Sequence, residues 1–92
     1  MKVRYTDAAL REVDEILSYI AKDNPLAADE VAALLQVTVR RIANYPQLAT
    51  ETDDSPVRVA PVLPYRYLIF YTVDLEGIVI RNVSHSARQG QL

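Results

Sequence analysis

The groups able to do chemistry gather at the C-terminal end: Arg66, Arg81, the single imidazole His85, and Arg88. His85 titrates near working pH and can act as a general acid or base; the alternative is a strand-end His that hydrogen-bonds to backbone. A guanidinium at Arg66 or Arg81 can hold a phosphate or a partner carboxylate in two-pronged fashion. The alternative is an Arg paired with an acid of this chain, its stem packed on Tyr67 or a neighbour. RNA cleavage needs one group to activate the 2′-OH, one to stabilise the phosphorane and one to protonate the leaving oxygen. Arg66, Arg81, His85 and Arg88 could divide those roles, but the set is thin. With one His and no Cys, neither a structural zinc site nor thiol chemistry is expected. The chain has no Gly-rich phosphate loop, nucleophile elbow or paired-carboxylate spacing, so no cofactor is expected.

Charge narrows the partners. The formal net charge is −2, and Lys2 and Lys22 are the only lysines. Proteins that draw affinity from phosphate neutralisation carry a basic footprint, so direct nucleic-acid binding is disfavoured. Asp and Glu are absent after Glu76, which leaves a small basic end on an acidic body. Half of the 92 residues are hydrophobic, which suits one globular domain over residues 1–92. Such a length buries roughly 60–65% of the extended-chain surface. Nothing resembles a signal peptide or a bilayer-spanning run, and a cytoplasmic location is expected.

The elements that must position these groups are legible in the pattern. Lys2 to Thr6 alternates Val3 and Tyr5 with Lys2 and Arg4, as a short half-buried strand does. Thr6 is placed to cap a helix that runs from Asp7 to about Lys22, with an apolar stripe of Leu10, Val13, Ile16, Leu17 and Ile20. Asn24 and Pro25 end it and begin a second helix to about Asn44. That helix carries the stripe Ala28, Val31, Leu35, Thr38, Ile42 and Tyr45. Two amphipathic helices joined tightly form a hairpin that must lie on a sheet. Gln47 to Pro56 is polar and acidic, an exposed loop. Val57 to Ala60 is a short strand demoted to an edge by Pro61 and Pro64.

Tyr65 to Arg88, YRYLIFYTVDLEGIVIRNVSHSAR, carries two more strands around the turn Asp74–Gly77, where Gly77 is free to take positive φ. Tyr67, Ile69, Tyr71 and Val73 share one face of the first strand; Arg66, Leu68, Phe70 and Thr72 share the other. Both faces are largely apolar, so a central strand covered on both sides is expected. Simple alternation puts Ile78, Ile80, Asn82 and Ser84 on one face of the second strand, and Val79, Arg81, Val83 and His85 on the other. The tyrosines are expected mostly in core or interface, with Tyr65 the most exposed. The fold class is α+β, ordered β-α-α-β-β-β, an antiparallel sheet packed against an N-terminal helical hairpin.

The hairpin "RYLIFYTVD…IVIRNVSHSAR", with its His-x-x-Arg ending, resembles the C-terminal half of the ParE/RelE toxin superfamily, and its ParE-like (plasmid-stabilisation) branch most closely. The element order agrees over nearly the whole chain. The resemblance implies the toxin of a type II toxin–antitoxin system that inhibits DNA gyrase without catalysis, with Arg66, Arg81, His85 and Arg88 as target-binding candidates. It also implies a cognate antitoxin, usually with a ribbon-helix-helix DNA-binding domain, so that operator DNA is met only through the antitoxin. Leu26, Leu34 and Val39, off the main stripe of the second helix, are the candidate antitoxin contacts. The alternative is a ribosome-dependent mRNA endonuclease of the RelE type, with Arg66, His85 and Arg88 catalytic. Against it stand the low basicity, the absence of Lys after Lys22 and the absence of Tyr after Tyr71. Thr72 stands where relatives often carry a basic residue, which leaves room for an inert relative that only binds its partner.

Overall fold

A computed structural model describes residues 1–47, 50–51 and 56–85 of the chain. The order is β1 (Lys2–Tyr5), α1 (Asp7–Asp23), α2 (Pro25–Asn44), β2 (Thr50–Glu51), β3 (Arg58–Val62), β4 (Tyr67–Asp74) and β5 (Gly77–His85). The strands form one sheet in the order β1-β5-β4-β3-β2. The α+β class and the helical hairpin are as expected, with two refinements of the sheet. β1 joins β5 in parallel, so the sheet is mixed rather than antiparallel throughout. A parallel neighbour requires a long crossover, which the helical hairpin supplies. The two-residue strand β2 interrupts the stretch expected as loop and pairs with β3 through Thr50–Val59 and Glu51–Arg58.

Local chemistry sets the helix ends. Thr6 Oγ1 accepts from the Ala9 N–H at 3.0 Å, and Asn24 Oδ1 accepts from the Ala27 N–H at 3.1 Å, with Pro25 in the first turn of α2. Each cap satisfies a donor that the helix leaves unpaired. The buried stripe of α2 is Ala28, Val31, Leu35, Thr38 and Ile42; Tyr45 lies beyond it and is exposed. Buried Thr38 donates back to the Leu34 carbonyl at 2.8 Å, so no polar atom is stranded there. These side chains meet Ala60, Val62, Ile69, Tyr71, Ile78, Ile80 and Val83 of the sheet in a single core. Tyr71 is fully buried and its hydroxyl donates to the Pro46 carbonyl at 2.7 Å. Burial pushes its pKa up, against an opposing pull from Arg58. Tyr19 and Tyr45 are exposed rather than core, and Tyr65 is half-buried.

β4 is central, but it is covered on one face only. Ile69 and Tyr71 belong to the core, whereas Leu68, Phe70 and Thr72 are half-buried and lie outside it. Among the described residues there are two long helices, and both lie on the same face. Pro61 sits inside β3 opposite Leu68, past the reach of β2, where a missing N–H costs no ladder bond.

The alternation of β5 fails at Arg81. Tyr71 pairs with Ile80 and Phe70 with Asn82, so Arg81 is the extra residue of a β-bulge. The bulge reverses the parity: Ile78 and Ile80 face the core before it, and Val83 faces the core after it. Thr6 anchors the bulge. Its hydroxyl donates to the Arg81 carbonyl at 2.7 Å and its N–H donates to the Ile80 carbonyl at 3.0 Å. Where β1 ends, the Glu12 carboxylate of α1 replaces it, accepting from the Val83 N–H at 2.9 Å and from Asn82 Nδ2 at 3.2 Å. Gly77 closes the β4–β5 turn at φ 143°, and a Cβ there would stand 2.1 Å from the Lys2 carbonyl oxygen.

Candidate functional site

The hairpin end gathers two of the predicted polar groups and separates the third. His85 pairs with Tyr67 at the end of β5, and Arg66 immediately precedes Tyr67. Arg66 lies in the turn before β4, not on the strand, and is exposed. The His85 ring stands edge-on to the Tyr67 ring, with centroids 5.2 Å apart and planes at 88°. Through Tyr67, His85 shares the parity of the core face. Arg81 is exposed at the bulge, four residues back along β5, on the order of 13 Å away at the strand rise. Its Nη1 reaches Thr72 Oγ1, at 3.5 Å, on the opposite face. Arg88 lies outside the described residues.

The predicted antitoxin contacts on α2 also divide. Leu26 is 80% exposed at the start of the helix, Leu34 is half-buried and packed on the core, and Val39 lines a groove. That groove, about 330 Å³, opens between α1, α2 and the sheet. Leu10, Val13 and Leu17 of α1, Leu35 and Val39 of α2, and Tyr5 of β1 form its walls; Asp14 and Gln36 supply its polar rim. Leu10 was expected in the buried stripe of α1, yet it is 55% exposed at the mouth. Helices that splay over a five-stranded sheet do not close on each other along their whole length, so the outermost apolar residues are left uncovered. Sequence reading missed Tyr5, Leu10 and Leu17 as groove residues because periodicity marks apolar positions, not whether anything covers them. Burial raises the Tyr5 pKa, in keeping with a ring tucked into the groove wall.

At the opposite end of β4, Arg4, Asp74 and Glu76 form an ion-pair clasp. Asp74 Oδ1 also accepts from the N–H groups of Glu76 and Gly77, at 2.9 and 3.0 Å. The hydrogen bond from Arg4 leads the causes that hold the Asp74 carboxyl below its usual range, and the same pair raises Arg4. This cluster fixes β1 to the β4–β5 turn; within it Arg4 Nε is buried and makes no hydrogen bond. Among the described residues, no group of three His, Asp or Glu side chains could hold a metal ion, and no helix is long and apolar enough to cross a membrane.

Comparison with known proteins accords with this architecture. The chain is 33% identical over 88 residues to "Putative toxin Y4kP" of Sinorhizobium fredii, covering 96% of this chain and 91% of that one. A solved structure titled "Chromosomal ParDE TA system from P. aeruginosa" superposes with a TM-score of 0.75 at 15% identity, over 92% of this chain and 95% of that one. At that identity the match speaks for the fold alone. The family model described as "ParE toxin of type II toxin-antitoxin system, parDE" matches residues 3–90. The match over residues 3–90 and the similarity to a curated relative show the family: this chain belongs to the ParE toxins of type II toxin–antitoxin systems.

Proposed function

We propose that this chain arrests bacterial growth by inhibiting DNA gyrase in the cytoplasm, by binding rather than by catalysis, and that a cognate antitoxin neutralises it. What supports the non-catalytic reading is the thin set of catalytic groups: the net charge is −2, no Lys follows Lys22 and no Tyr follows Tyr71, and Arg81, across the sheet from His85, adds nothing to the end where Arg66 and His85 meet. General acid–base cleavage of RNA needs its acid, base and phosphate holder within hydrogen-bond reach of one phosphodiester. Arg66, Arg81, His85 and Arg88 are then contact residues for the target. The antitoxin, of the ribbon-helix-helix type, supplies an apolar segment that folds over the helical hairpin, and carries the pair to operator DNA. Val39 and Leu34 support such a docking, and Leu10 and Leu17 extend it; Leu26 marks its far limit.

The test is pulse-labelling of DNA and protein synthesis after the chain is induced alone in a bacterial host. Early loss of DNA synthesis with translation intact is expected, and His85→Ala, which removes one target contact among several, should weaken the arrest without abolishing it. Early loss of translation, abolished by His85→Ala, would transfer the assignment to a RelE-type endonuclease built on Arg66 and His85, which do share one end of the hairpin.

A further inference from the structure

We infer that the helix-free face of the sheet is the surface with which this toxin grips its target, and that the target presents an acidic protein surface with an apolar anchor; this rests on the toxin reading above. The face is built by strand register. Val59 pairs with Phe70, and Pro61 with Leu68, so these four side chains share one side of β3 and β4. Thr72 pairs with Val79 and extends the same side to β5. None of the six belongs to the core or packs against it, neither α1 nor α2 lies over them, and all but exposed Pro61 are half-buried. Their apolar centre is therefore available to a partner.

Charge decides which kind of partner. Arg81 stands exposed beside this apolar centre, held only by the 3.5 Å contact to Thr72. Arg66 is exposed in the turn that leads into β4, next to this face. The acids near this face among the described residues are already engaged: the Glu12 carboxylate, beside Arg81, accepts from Asn82 Nδ2 and the Val83 N–H, and Asp74 and Glu76 at the far turn are held by Arg4. An apolar centre flanked by unopposed guanidinium groups has the composition of a protein–protein interface, where aromatic and Arg residues are enriched. It does not have that of a nucleic-acid surface, which needs several cations along a track of phosphates. The bulge at Arg81 adds a geometric reason: an extra residue is a recurrent device for re-aiming a side chain. The apolar groove on the other side of the molecule stays free for the antitoxin, so the two partners would use separate surfaces.

Three variants test this: Arg81→Glu, Arg66→Glu and Phe70→Thr, the last keeping a strand-forming residue. Each is induced alone, with DNA and protein synthesis followed by pulse-labelling, and each is co-expressed with the antitoxin encoded beside it. The expected result is a tenfold or greater rise in the inducer needed for arrest, with undiminished co-purification of the antitoxin showing that the fold is intact. Arrest unchanged in all three, with the wild type active, would overturn the proposal and leave the toxin reading standing. A wild type that arrests nothing would overturn both. Loss of antitoxin binding alongside arrest would assign the face to the antitoxin and overturn the proposal. So would binding of labelled duplex DNA by the toxin alone that Arg81→Glu abolishes, or a wild-type dimer in solution that Phe70→Thr dissociates. Arrest through translation instead of DNA synthesis, still lost in the variants, would support this face while rejecting gyrase.

Discussion

Glu12 shows how one carboxylate can stand in for a strand. β1 stops at Tyr5, and the Val83 N–H beyond it would face no acceptor without the Glu12 side chain. Glu12→Ala should destabilise the fold by about 1–3 kcal/mol, the range for a part-buried donor left unpaired, while Glu12→Gln keeps an acceptor and should cost less. Urea unfolding of the two variants checks the difference. Gly77 is the sharper case. Its φ of 143° and its approach to the Lys2 carbonyl leave no room for a methyl group. Gly77→Ala should therefore cost about 3 kcal/mol or more and loosen β1 first, seen as faster amide exchange at Val3 and Tyr5. The glycine was legible in the sequence as a turn residue; its contact with β1 was not, because pairing between the first and last strands leaves no local signal. Arg81 was legible as a functional candidate, but the bulge that aims it was not. A bulge is decided by how β1, α1 and β4 constrain β5, not by the residues of β5 alone.

At the scale of elements, the two helices were the most legible part of the chain. Thr6, Asn24 and Pro25 mark their boundaries chemically, and Val31, Leu35, Thr38 and Ile42 recur at helical spacing. What the spacing could not show is the groove, since Leu10 and Leu17 carry the same periodic signal whether covered or not. Leu10 is the better probe of antitoxin docking. It is largely exposed, whereas Leu34 packs on the core and a charge there would perturb folding as well. Leu10→Glu should leave stability within about 0.5 kcal/mol. It should weaken antitoxin binding tenfold or more, about 1.4 kcal/mol, by calorimetry. Leu26→Glu, at the far limit of the docking surface, should change affinity less than Leu10→Glu in the same titration.

For the molecule as a whole, division of labour between two faces follows from both described helices lying on one side of the sheet. That face is buried under the hairpin with a groove left open; the other, without a described helix, stays half-buried. The expectation that β4 is covered on both sides failed because an apolar strand sequence records the demand for cover, not the number of elements present to meet it. Edge strand β1 is tied to the β4–β5 turn by the Arg4–Asp74 pair, and its pH response follows from the shift. The folded carboxyl of Asp74 titrates below its usual range, so the stabilisation is fully present above the ordinary Asp pKa of about 4 and is lost as pH falls through the lower folded value. The melting temperature of the wild type should exceed that of Asp74→Asn at about pH 6, and the gap should narrow as pH falls below the ordinary Asp pKa of about 4. A gap that stays constant over that range would mean that Asp74 acts through its turn hydrogen bonds and not through charge.

The central claim is inhibition of gyrase by binding. Its most direct measurement is relaxed-plasmid supercoiling by purified gyrase with the purified toxin, alone and premixed with antitoxin. The account predicts loss of supercoiling with cleaved plasmid accumulating, restored by the antitoxin and weakened but not abolished by His85→Ala. Undiminished supercoiling at toxin excess, with mRNA cut in a translating ribosome reaction, would contradict it.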